Sequence, residues 1–234
     1  MAIIPADEKV FMVDKRTNTV YGGSQALQDM QQWYTMQDVS DSVQPYKVFT
    51  ALLTQNGNDT STQYISIGTN YGNTLTIGVT YIIDENGNGT DFTNVGAPDN
   101  NVGTSFIATG EVPANQNDNE STRVAFQAAT PVVNILENTI GNVWFEYRDE
   151  GQYALRSDPG AFLPEKTFIP NGTTSDPTIF NRLIRTDGGG LNLTSGYYFV
   201  LEDINRIDVF TIVDAGAPHD SVLSATPIEI RVYN

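Results

Sequence analysis

The 234-residue chain has no cysteine and a single histidine, His219. Disulfides, thiolate metal sites and cysteine nucleophiles are therefore excluded, and the fold must be held by burial and hydrogen bonding alone. The chain is long enough to bury a sizeable core without covalent staples. Positive charge is also scarce. Twelve Lys and Arg stand against twenty-eight Asp and Glu, a net charge of −16 with a pI near 4.1. Such a surface repels phosphate backbones and anionic head groups, so neither nucleic acid nor membrane is an expected partner. No segment approaches the roughly twenty apolar residues needed to span a bilayer. The opening MAIIPADEKVFMVDK reaches acidic residues before any apolar run of signal-peptide length, so synthesis in the cytoplasm and use in soluble form are expected.

What the chain has in quantity is short apolar or alternating runs punctuated by Gly, Pro, Asn and Asp. YKVFTALLT, YISIG, TLTIGVTYII, SFIATG, RVAFQ, PVVNILEN, NVWFEYR, YALRS, YYFVLED, RIDVFTIV and PIEIRVY are of this kind. Closely spaced strands without crossover helices predict a mainly β fold, an antiparallel sandwich or barrel, and disfavour a parallel α/β sheet. One helix is expected. After a strand pair over Val10–Gly23, Ser24 can cap a segment whose Leu27, Met30, Trp33, Tyr34, Met36, Val39 and Val43 recur at helical spacing. An apolar stripe that broad needs a cover, either its own β domain or another subunit. The organisation read from this is an N-terminal docking or oligomerisation segment over 1–44, a β domain over 45–157 and a C-terminal β region over 158–234 that either completes the same sandwich or forms a separate lobe. The stretch 61–130 is read as a β subdomain inserted in a loop of the main sheet, where insertions do least damage.

Candidate chemistry is thin. His219, Asp220 and Ser221 are contiguous, and adjacent residues cannot converge as base, orienter and nucleophile. One histidine with carboxylates makes a poor zinc site. In DENGNGTD the alternation of Asp84, Asn86 and Asn88, with Asp91 beyond, has the oxygen spacing of half a calcium loop. The twelfth position is Val95, where a bidentate Glu is required, and Asn-Gly pairs also make ordinary hairpin turns. Glu137 with Glu146 and Asp149 with Glu150 are the carboxylate pairs to weigh for glycoside hydrolysis, yet Arg148 interrupts them and an acidic chain contains such pairs by chance. GGGLNLTSG over Gly188–Gly196 lacks the Lys and the following helix of a phosphate loop. No cofactor is expected. In VWFEY, alternation places Trp144 and Glu146 on one strand face and Val143, Phe145 and Tyr147 on the other, and the more apolar face is expected in the core.

Three stretches resemble virion proteins of tailed bacteriophages: DEKVFMVDKRTNTVYGGSQALQDMQQWYTMQDV, the PYKVFTALLTQ and VVNILENTIGNVWF pair, and DFTNVGAPDNNVGTSFIATG. The last is similar to a module of tail-fibre and head-fibre proteins, including those of crAss-like and marine phages. The resemblance implies a non-enzymatic structural protein of the virion, a head fibre, capsid decoration or fibre-anchoring component. It implies a homo-oligomer, with a trimer favoured, held against capsid or portal and neck proteins. The alternative is a carbohydrate- or cell-surface-binding module that uses exposed aromatics.

Overall fold

The computed structural model describes residues 11–14, 19–22, 45–55, 57–68, 70–87, 89–116, 122–170, 181–184, 194–213 and 217–234. Among these, strand β1 (Phe11–Asp14) pairs antiparallel with β2 (Thr19–Gly22), as the strand pair expected over Val10–Gly23 requires. This hairpin belongs to a compact unit of its own, Met1–Pro45. The expected helix, with Leu27, Met30, Trp33, Tyr34, Met36 and Val39, lies outside the described residues.

The second unit, Tyr46–Asn234, is built from antiparallel strands. In chain order they are β3 (Tyr46–Thr54), β4 (Thr62–Ile67), β5 (Thr80–Asn86), β6 (Ser105–Ile107), β7 (Thr122–Gln127), β8 (Val132–Asn138), β9 (Val143–Asp149) and β10 (Gln152–Ser157). There follow β11 (Thr167–Phe168), β12 (Asn181–Ile184), β13 (Thr194–Asp203), β14 (Arg206–Val213), β15 (Ala217–Pro218) and β16 (Thr226–Tyr233). Strand accounts for 53% of the described residues and helix for 2%, so sheet must bury sheet. Among the described residues no helix is long and apolar enough to cross a membrane.

Two of the sheets share one core. The first runs β12-β13-β14-β10-β9, with β15 added beside β14; the second runs β11-β16-β3-β8. Period-two alternation supplies the interior: Phe49, Ala51 and Leu53 of β3 and Ile228, Ile230 and Val232 of β16 meet Phe145, Leu155, Phe199, Ile207 and Val209 from the other sheet. Each of these side chains other than Ala51 contributes about 1.5–3 kcal/mol when removed from water, which makes this layer the main stabilising element of the unit. The face of β9 that carries Val143 and Phe145 is the buried one, as alternation in VWFEY requires, and Trp144 is left half-buried.

The third sheet, β4-β7-β5-β6, comes from the stretch between β3 and β8, two strands that pair directly with each other. It has its own core, formed by Ile67, Leu75, Tyr81, Ile83, Phe92, Phe106 and Val124. Only part of TLTIGVTYII is strand. Thr74–Val79 instead forms turns that drop Leu75 into this core and bind its amide to Glu111 O at 2.8 Å. The segment after β5 contains a short 3₁₀ turn, Thr93–Val95, and a single bridge between Asp91 and Ala114. Its Asn, Asp and Thr side chains compete for backbone partners and favour a braced loop over a ladder.

Gly78 joins this sheet to β8. Its amide donates to Ala108 O and its carbonyl accepts from Val133 N, both at 2.8 Å. Its φ is +87°, and a Cβ at this position would lie 2.5 Å from Val133 O. Gly78→Ala must therefore strain the backbone and separate the two strands, at a cost of about 3 kcal/mol. The expected result is a lower urea midpoint with an unchanged slope, and a wild-type midpoint would show that the close approach is unimportant.

Candidate functional site

Among the described residues, a densely connected polar cluster sits where the two sheets of the main core meet. Asp220, in the loop between β15 and β16, is buried. Its Oδ1 accepts from the Gly151 amide at 2.8 Å and from the Tyr153 hydroxyl at 3.0 Å, and its Oδ2 accepts from the Tyr147 hydroxyl at 3.1 Å. Tyr147 and Tyr153 are cross-strand neighbours on β9 and β10, with ring centroids 5.8 Å apart. Gln55, just beyond β3, completes the cluster from the other sheet. Its Oε1 accepts from Ser221 N at 2.6 Å and shares the single Tyr153 hydroxyl proton with Asp220 Oδ1, while its Nε2 donates to Gly57 O at 3.1 Å. This pattern fixes the orientation of the amide, since a flipped Gln55 would turn an N–H toward the Ser221 amide.

Local geometry makes the cluster possible. Gly151 turns β9 into β10 with φ +65°, and a Cβ there would lie 2.5 Å from both His219 N and Thr211 O. Ser221 takes φ 65°, a conformation uncommon for a residue with a side chain, and so aims its amide at Gln55. His219 is exposed and is held by its backbone: its amide donates to Thr211 O at 3.1 Å and its carbonyl accepts from Thr211 Oγ1 at 2.6 Å. The Asp220 carboxylate points to the tyrosines, so His219, Asp220 and Ser221 form a turn and not a relay.

The titration behaviour of the cluster follows from its contacts. Burial opposes the charge on Asp220, but the Gly151 amide and the Gln55, Tyr153 and Tyr147 side chains outweigh it, holding the carboxyl below its ordinary 3.8. Burial, with the hydrogen bond to Asp220, pushes Tyr147 up to about 12. The same two causes raise Tyr153 further. Both phenols therefore remain protonated donors at any working pH, which suits them to clamp a carboxylate and not to act as bases. A contrasting group lies on the opposite face of the same sheet. Burial raises Asp208, and Arg206 offsets this only in part. The Arg206 Nε lies 3.1 Å from Asp208 Oδ1, yet neither atom makes a properly directed hydrogen bond.

A cleft of about 250 Å³ opens between β9 and the outward face of the third sheet. Its floor carries Ile82, Ala125 and Gln127, and Trp144 and Glu146 form its far side. Two bonds hold the walls together, Phe145 N to Thr80 Oγ1 at 3.2 Å and Asn142 Nδ2 to Ser105 O at 3.0 Å. Glu146 accepts from the Trp144 indole N–H at 3.3 Å and from Arg156 Nε at 2.9 Å, which neutralises it locally. The other carboxylates weighed for hydrolysis are dispersed. Glu137 pairs opposite Thr50 in the four-stranded sheet, and Asp149 accepts from the Glu150 amide in the exposed β9–β10 turn.

The residues of the calcium-like motif are engaged with protein partners. Asp84 is bound by Arg123, with Nε at 2.6 Å from Oδ2. The Asn86 Nδ2 donates to Thr90 O at 3.0 Å and Asn100 O at 3.1 Å, while its buried Oδ1 makes no hydrogen bond. Asp91 Oδ1 accepts from the hydroxyl and amide of Thr93 and from Asn100, contacts that lower its pKa. Asn88 lies outside the described residues, among which no three carboxylate or histidine groups are placed to hold a metal. The sequence pattern missed Asn100, which also accepts from Phe92 N at 2.7 Å and is the hub of this loop.

No family model, curated protein or solved structure matches this chain.

Two outcomes are expected. A depressed folded-state pKa means that the Asp220 clamp stabilises fully above the ordinary carboxyl value and is lost as pH falls through the lower folded value. Asp220→Asn should cost about 1–2 kcal/mol near neutrality, and the gap between its urea midpoint and that of the wild type should narrow as pH falls below the ordinary carboxyl value. A constant gap between the two proteins across that range would refute the clamp. With Asp84 and Asp91 occupied as described, millimolar calcium and a chelator should give the same melting temperature, and a rise with calcium would contradict that assignment.

Proposed function

We propose that this protein is a non-enzymatic structural component of a tailed-phage particle, a head fibre, capsid decoration or fibre-anchoring protein. In this reading it is made in the host cytoplasm and acts in the virion through protein–protein contacts. Residues 1–44 dock or oligomerise, through Leu27, Met30, Trp33, Tyr34, Met36 and Val39, and a trimer is favoured. The β region offers a stiff outward surface to capsid, portal or neck proteins.

The observation that carries this reading is the cluster around Asp220. The best-placed ionisable groups of the β region are spent on joining two sheets, and such a joint stiffens a module that must bear load. The likeness of three sequence stretches to fibre-type virion proteins points the same way. Acidic charge favours a soluble, non-aggregating surface until the matching partner is met.

Light scattering coupled to size exclusion tests the proposal. The parent chain is expected at three times its 25.6 kDa mass. Trp33→Asp is expected to reduce it to one chain while leaving the β-type circular dichroism unchanged. A parent protein that runs as a lone monomer would overturn the oligomeric assignment.

A further inference from the structure

We propose that the cleft beside β9 binds one neutral hexopyranose ring, stacked on Trp144. The inference is independent of the assembly role and rests on the chemistry of the lining. At about 250 Å³ the cleft lies just below the roughly 300–1,000 Å³ of sites for drug-sized ligands, which suits a single ring or the end of a chain. Trp144 is half-buried and its N–H is committed to Glu146, so the contact it has left to give is the apolar surface of the indole. Ile82, 43% exposed on the outward face of its sheet, adds further apolar surface.

Around this surface stand neutral polar groups: Thr62, Ser105, Gln127 and Thr130. Thr80 Oγ1 accepts from Phe145 N, which leaves its own proton to donate. Gln127 Nε2 donates to Thr60 O at 3.1 Å, which leaves the carbonyl end of that amide to accept. The ligand that fits must combine an apolar C–H face with several hydroxyl groups, and a pyranose does so. No Lys or Arg lines the cleft, so an anionic sugar would meet no counter-charge in a chain of net charge −16. Glu146 is the one charged residue in the lining, and its pairing with Arg156 removes the attraction for a cation.

The test uses Trp33→Phe protein, in which Trp144 is the sole tryptophan. Glucose, galactose and N-acetylglucosamine are titrated at millimolar concentrations while Trp144 emission is followed, with glucuronate as the anionic control. At least one neutral sugar should give a saturable change, and glucuronate none. Ala125→Leu fills the floor of the cleft and should weaken binding by roughly tenfold or more, the loss of one good contact. Gln127→Ala, which leaves the apolar surface intact, should weaken it several-fold and serves if the leucine variant does not fold. An unchanged emission with all three sugars, equal binding of glucuronate, or unaltered dissociation constants in the variants would overturn the proposal.

Discussion

The polar joint between the two layers of the sandwich depends on one buried carboxylate. Asp220 collects a backbone amide from the β9–β10 turn and hydroxyls from both of those strands, while Gln55 brings the end of β3 onto the same Tyr153 hydroxyl. A carboxylate withdrawn from water is costly unless it is fully hydrogen-bonded, and here the bonds are made by groups from both layers of the sandwich. The same contacts explain the direction of every titration shift in the cluster. The charged form of the acid is favoured and the neutral forms of the phenols are favoured, so the arrangement is at its strongest when Asp220 is ionised.

The third sheet is attached under a different constraint, that of close backbone approach. It leaves the main sheet after β3 and returns at β8, so its two ends are already adjacent. Gly78 then brings the inserted backbone within hydrogen-bonding distance of Val133, which only a residue without a side chain allows. The long loop between β5 and β6 has little ladder of its own and is braced by Asp91, Asn94, Asp99 and Asn100 acting on nearby backbone and hydroxyl groups. Phe92 and Val95, both buried, anchor it from beneath. The groove between this sheet and β9 is a by-product of that attachment, and it is the place where aromatic, hydroxyl and amide groups converge.

Much of the architecture was legible because it rests on local rules. Alternation in VWFEY assigns Phe145 inward and Trp144 outward, and the buried sides of β3 and β16 follow the same period of two. Where chain propensity and turn chemistry conflicted, legibility failed. TLTIGVT has strand-forming composition, yet it is bent so that Leu75 can enter a core and Gly78 can meet β8. The alternating Asp84, Asn86 and Asp91 have the spacing of metal ligands, but spacing does not reveal which protein groups bind them: Arg123 reaches Asp84 from 39 positions away and Asn100 reaches Asp91 from across the loop.

By itself, then, the sequence determined the class of fold, the absence of thiol chemistry and the acidic character of the surface, since composition, charge and hydrophobic period are properties of neighbouring residues. The tertiary structure alone decided that Gln55, Tyr147, Tyr153 and Asp220 meet, and that Trp144 faces Gln127 across a cleft. Gln55 and Tyr153 are 98 positions apart in the chain. Contacts of that separation are set by the pairing order of the strands, and no local pattern encodes it.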